Sequence, residues 1–140
     1  MHWLTKSRVV VDTNIFVSAL LRGGVPAKVL QFCIDKDIKF LLSPILGAEI
    51  LKTTQRFEYP PEKQERLKYI LETHTEKISP TSSLTICRDQ DDNKILALAI
   101  DGKADYIITG DNDLLALGNL QGIPIVKPKD FLALVKRKNK

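Results

Sequence analysis

Short, almost purely apolar runs alternate with longer amphipathic stretches along most of the chain. Residues 9–11, 38–42, 106–108 and 123–126 are such runs, rich in β-branched and aromatic side chains, and they predict four strands buried on both faces. Between them, apolar residues recur three and four positions apart, the period of a helix with one buried stripe. Residues 15–21 predict a first helix, closed by Arg22-Gly23-Gly24. Pro26 sits in the first turn of the next, whose stripe is Val29, Leu30 and Ile34. Ser43-Pro44 supplies an N-cap and a first-turn proline for a helix to about Thr54. Pro60-Pro61-Glu62 opens another, with Leu67, Ile70 and Leu71 inward and a solvated charged face. Residues 79–83 read as a loop. One of Asp89, Asp91 and Asp92 is expected to cap a strongly apolar helix over residues 95–100, stopped at Gly102. Asp113 is expected to cap a turn over residues 114–117. A last helix is expected from Phe131 to about Lys136, with fraying over the basic stretch 135–140.

No repeat and no Gly/Ser-rich linker divides the chain, so residues 1–140 predict a single domain with a basic tail at 136–140. Alternating strands and helices, with strands this apolar, predict an α/β fold. The expected architecture is a three-layer α/β/α sandwich around a mostly parallel sheet.

Composition narrows the chemistry only a little. The 44% hydrophobic and 27% charged residues are ordinary for a globular domain, and the formal charge of +4 favours an anionic partner weakly. Cys33 and Cys87 lie far apart without a disulfide or metal spacing, which predicts a reducing, cytoplasmic setting. His2 and His74 are too few and too separated for a zinc site. No apolar run reaches the ~18 residues of a membrane span, and the first residues lack a signal-peptide core, so no membrane role is expected.

The acids carry more information. The first strand ends abruptly in Asp12-Thr13-Asn14, which places a carboxylate at the carboxyl edge of a parallel sheet, where open α/β folds build their sites. Asp12 reads equally as a helix cap. Asn14 is placed to orient Asp12 or hold a water, and Thr13 to donate a hydroxyl hydrogen bond. The third strand repeats the logic, ending in Thr109-Gly110-Asp111-Asn112-Asp113. That run lacks the glycine and distal glutamate of an EF-hand loop, which excludes a calcium site of that type. Asp92 precedes Ile95 and Leu96 by three and four residues and so shares their buried side. Asp89, Asp91 and Asp92 are also more acids than one cap requires. Carboxylates gathered at one sheet edge repel each other unless protons or divalent cations neutralise them. An acidic floor within a basic surface suits a metal-bound phosphodiester.

Four segments, in this order, resemble the PIN-domain ribonucleases: Val9-Val10-Val11-Asp12-Thr13-Asn14, Leu46-Gly47-Ala48-Glu49-Ile50-Leu51, the stretch from Asp91 to Ala99, and that from Ile107 to Leu115. The last strand and helix fit the same family, and the chain is more narrowly similar to its VapC-like toxin components. The resemblance implies that Asp12, Glu49, Asp92 and Asp111 ligate Mg²⁺ or Mn²⁺. Thr13, Asn14, Asp91, Thr109 and Asp113 stand around them, and Arg22, Lys52, Arg56 and Lys94 are candidates for holding phosphates. It further implies RNA hydrolysis, a homodimer, and a small antitoxin blocking the cleft. The alternatives are a non-catalytic RNA- or protein-binding α/β module, or a haloacid-dehalogenase-like phosphatase. The phosphatase needs a second Asp where this chain has Asn14, and a receiver domain is disfavoured because Asp12 follows the first strand.

Overall fold

The computed structural model describes residues 7–138, so the expectations about residues 1–6 and about the last two residues of the tail lie outside it. The strands are β1 (Arg8–Val11), β2 (Lys39–Leu42), β3 (Thr75–Lys77), β4 (Tyr106–Ile108), β5 (Asn119–Leu120) and β6 (Ile123–Val126). The helices are α1 (Thr13–Arg22), α2 (Gly24–Asp35), α3 (Pro44–Arg56), α4 (Pro61–Thr73), α5 (Gln90–Asp101), α6 (Asn112–Leu117) and α7 (Pro128–Lys138). All four expected strands form. The two additional ones, β3 (Thr-Glu-Lys) and β5 (Asn-Leu), are too short to carry a hydrophobic alternation.

The sheet order is β3-β2-β1-β4-β6-β5, parallel throughout except for the terminal β5–β6 pair. From β1 the chain steps outward through β2 to β3, and α5 then carries it back to β4 on the other side of β1. Right-handed crossovers require that reversal to change face. The packing agrees: Phe40 of β2 meets Phe16 of α1 edge-on at 5.3 Å, whereas its neighbour Leu41 faces Gly102 at the end of α5. A Cβ on Gly102 would lie 2.6 Å from Leu41 Cδ1 and 3.0 Å from the Leu98 carbonyl oxygen, so glycine lets α5 finish flush against the sheet. On the face of α1, Phe131 of α7 stacks edge-on with both Tyr106 and Phe32. The reversal of strand order between β1 and β4 opens a crevice at their carboxyl ends.

Local chemistry sets the helix starts. Ser43 Oγ accepts from Leu46 N at 3.1 Å, as an N-cap should. Gly23 and Gly24 take positive φ, 73° and 65°, and turn the chain by 107° between α1 and α2. Asp89 caps α5. Two expectations need correction. Asp111, not Asp113, caps α6, because the helix begins at Asn112, two residues before the apolar stretch. Helix α7 continues to Lys138 instead of fraying from residue 135, because Val135 is fully buried and anchors its last turns. Among the described residues no single helix is long and apolar enough to cross a membrane.

Candidate functional site

Backbone bonds beyond the strands hold the two central carboxyl ends side by side. Asp12 N donates to Ile108 O at 3.0 Å, and Thr109 N donates to Val126 O at 3.0 Å. Asp12, only 9% exposed, accepts from Thr109 Oγ1 at 2.7 Å and from Asn14 N at 3.3 Å. The same Thr109 hydroxyl accepts from Asp111 N at 3.0 Å, and Asp111 accepts from Leu114 N at 2.9 Å. One fully buried hydroxyl thus sets the spacing of both strand-end acids. Thr109→Val keeps the shape and removes that bond. It should cost about 1–3 kcal/mol of stability, because a buried carboxylate oxygen loses its donor. Divalent-ion affinity, followed by calorimetric titration, should fall roughly 10–100-fold, the usual effect of losing a group that orients a ligand. Unchanged affinity would mean that Thr109 does not orient Asp12.

Because Asp89 takes the cap of α5, Asp92 is released to turn inward, where it is 7% exposed. Carboxylate oxygens of Asp92, Asp111 and Asp113 lie within 4.8 Å of one another. Burial, and then the charges of Asp111, Asp89 and Asp12, push the Asp92 carboxyl up to about 6. Glu49 is also raised, first by burial and then by Asp91 and Asp12, with Lys94 pulling the other way. Asp12, Glu49, Asp89, Asp91, Asp92 and Asp111 line one hollow of about 150 Å³, together with Thr13 and Asn14. The donors are all oxygen, and their crowding disfavours charge until something neutralises it. Such a set fits a hard divalent cation and does not fit zinc.

The structure therefore brings Asp12, Glu49, Asp92 and Asp111 together. It also moves Asp113 from the expected capping role into the cluster, where it pairs loosely with Arg88 at 3.4 Å. Asp91 is exposed and pairs with Lys94 at 3.6 Å. Arg22 ends α1, and Lys52 and Arg56 lie on the second half of α3; none of the three lines the acidic hollow. Lys94 lines an adjoining cavity. Sequence reasoning passed over Arg88 and Asn93 here, and it read Asp89 as a possible cap of α5 without placing it in the hollow. Arg88 is the cation beside Asp113, and Asp89 lines the hollow as well as capping α5. Asn93, 3% exposed, holds the Cys87 backbone by bonds of 2.8 and 3.0 Å. An asparagine one position from the buried Asp92, leading an apolar helix, is the only local hint of that clamp.

Residues 8–113 match the family model described as PIN domain. The chain is 36% identical over 141 residues to uncharacterized protein MJ1680 of Methanocaldococcus jannaschii, covering 91% of this chain and 90% of that protein. Its fold is similar to that in the crystal structure of VapBC2 from Rickettsia felis bound to a DNA fragment from their promoter, with a TM-score of 0.58 and 17% identity over 86% of this chain and 98% of that one. It is also similar to the PIN domain endonuclease Utp24, with a TM-score of 0.53 and 21% identity over 86% of this chain and 84% of that one. FitAcB from Neisseria gonorrhoeae gives a TM-score of 0.51 and 17% identity, again over 86% of this chain and 98% of that one. With strand-end acids at the switch of a parallel sheet, and a family match spanning most of its length, the chain belongs to the PIN domain family and has its nuclease fold.

Proposed function

We propose that this protein is a divalent-cation-dependent endoribonuclease, in which Asp12, Glu49, Asp92 and Asp111 hold Mg²⁺ or Mn²⁺ and Asp113 lends a further oxygen. The observation that carries the reading is the mutual approach of Asp92, Asp111 and Asp113 to within 4.8 Å beside the buried Asp12. An ion bound there would supply an activated water and neutralise charge on the phosphodiester. The rest falls to the chain itself. Thr109 holds Asp12 in one rotamer, and the α6 backbone does the same for Asp111 through Leu114 N. The buried position of Asp92 keeps bulk water away from one side of the hollow. Lys94 and Arg88, each already beside an acid at the rim, are placed to take a backbone phosphate.

The VapC-like resemblance supports a finer reading: a cytoplasmic toxin component, working as a homodimer, whose cleft a small antitoxin would cover. A non-catalytic RNA-binding module is the rival, and turnover separates the two. Purified protein incubated with a panel of defined single-stranded and hairpin RNAs should cleave at internal positions with Mg²⁺ or Mn²⁺, stop on addition of chelator, and resume when the ion is restored. RNA that is bound but never cut under any ion would overturn the enzymatic reading.

A further inference from the structure

Any strand cut at the acidic hollow must continue past it, and on the side of α3 and α5 the surface opens into a cavity of about 420 Å³. That volume falls within the ~300–1,000 Å³ of small-ligand pockets. Its apolar walls are Pro44 and Ile45 from α3, Pro80 and Leu84 from the segment before α5, and Ala97 from α5 itself. Lys94 lines this cavity and reaches Asp91 in the lining of the acidic hollow, so the two share a rim. The wall formed by the segment before α5 is tied down at two points. Asp101 accepts from Thr81 N at 2.6 Å, Ser82 N at 3.0 Å and Ser82 Oγ at 2.5 Å, while Asn93 grips Cys87 further on. The cavity is therefore built by fixed groups. By contrast, Gln90 and Ser83 line it with no side-chain hydrogen bond among the described residues, and Ile45 at its mouth is 61% exposed.

We propose that this cavity receives one unstacked base of a single-stranded RNA, seated next to the phosphodiester held at the acidic hollow; the proposal rests on the ribonuclease reading. A base has apolar faces and a polar edge. Ile45 and Leu84 supply aliphatic surface for the faces, and the Gln90 amide offers both a donor and an acceptor to the edge. Lys94 stands where the linking phosphate would pass. A paired, stacked base cannot enter such a cavity, so the geometry selects single-stranded or looped RNA.

The test steps a single abasic residue along a short RNA. Binding is read by fluorescence anisotropy with Ca²⁺ in place of Mg²⁺, and cleavage is read with Mg²⁺. One abasic position should weaken binding on the order of tenfold and the others should not, as expected for losing one packed base. Ser83→Trp, which fills the cavity from an exposed loop position, should impose the same loss on intact RNA and none on that abasic strand. Ile45→Asp should do likewise by placing a negative charge at the mouth. Both variants should retain the parent's Mn²⁺ affinity. A flat abasic profile alongside normal cleavage overturns the base site and leaves the ribonuclease reading standing. Intact RNA binding unchanged in both variants also overturns it. Coincident abasic and Ser83→Trp effects on binding, with no cleavage under any ion, overturn the ribonuclease reading on which the proposal rests and leave only RNA binding without turnover.

Discussion

Asp12→Asn should reduce metal-dependent RNA cleavage by at least about 100-fold, beyond the roughly 10–100-fold expected for a supporting residue such as Thr109. Asp12 alone among the acids of the cluster combines three properties. It ends the central strand, it is buried, and both of its oxygens are already oriented by donors from the protein. The amide keeps a single acceptor oxygen. Turned toward Thr109, that oxygen preserves the 2.7 Å bond and gives up only the 3.3 Å contact with Asn14 N. The helix-cap loss is then about 1 kcal/mol, offset in part by one charge fewer in the hollow. Circular dichroism and thermal unfolding should therefore show a folded protein with nearly normal stability, while calorimetric titration shows weakened Mn²⁺ binding. Cleavage retained at the parent rate would place the chemistry elsewhere or in a contaminating nuclease.

The site was legible in the sequence to the extent that its acids are tied to strand ends. β1 and β4 are read from three-residue apolar runs, and a strand that stops at an acid in a parallel sheet leaves that acid at one edge whatever the details of packing. Asp12 and Asp111 follow from this alone. Asp92 needed helical phase as well, and phase does place it on the buried side of α5. What escaped depends on backbone paths that side-chain pattern does not encode. β3 reads Thr-Glu-Lys and joins the sheet through main-chain bonds to β2, so no alternation betrays it. The change of role at Asp113 turns on where α6 begins: with the helix at Asn112, Asp111 reaches Leu114 N and caps it while staying in the cluster, and Asp113 is free to approach Asp92. Asn93 has meaning only once the segment from 78 to 89 is known to pass over α5. Glu49 entered by resemblance, since a helical glutamate is ordinarily a surface residue. The fold places it in the lining of the hollow together with both strand-end acids.

Asp92→Asn should give the opposite signature in stability and function: the ion-free protein becomes more stable near neutral pH while divalent-ion binding and cleavage collapse. The Asp92 carboxyl is held up at about 6 by burial and then by the charges of Asp111, Asp89 and Asp12, so the fold favours its protonated form. A carboxyl raised in the folded state contributes stability that is fully present below the ordinary aspartate range and is lost as pH rises through its folded value. In the absence of ions the parent should therefore weaken between about pH 4 and pH 6 and remain weaker at pH 7, by about 1–3 kcal/mol from this group. Glu49 is raised as well and adds to the slope in the same direction. Mg²⁺ or Mn²⁺ should reverse the trend, because ligation requires the ionised carboxylate, and ion affinity should climb as pH passes 6. The amide cannot titrate, so the variant's ion-free stability should be flatter over that window and its response to Mn²⁺ much smaller. Thermal melts of both proteins from pH 4 to pH 8, with chelator and with Mn²⁺, read all four curves. A parent whose ion-free stability does not fall between pH 4 and 6, or a variant with the same slope as the parent, would show that the hollow does not hold Asp92 in repulsion with its neighbours.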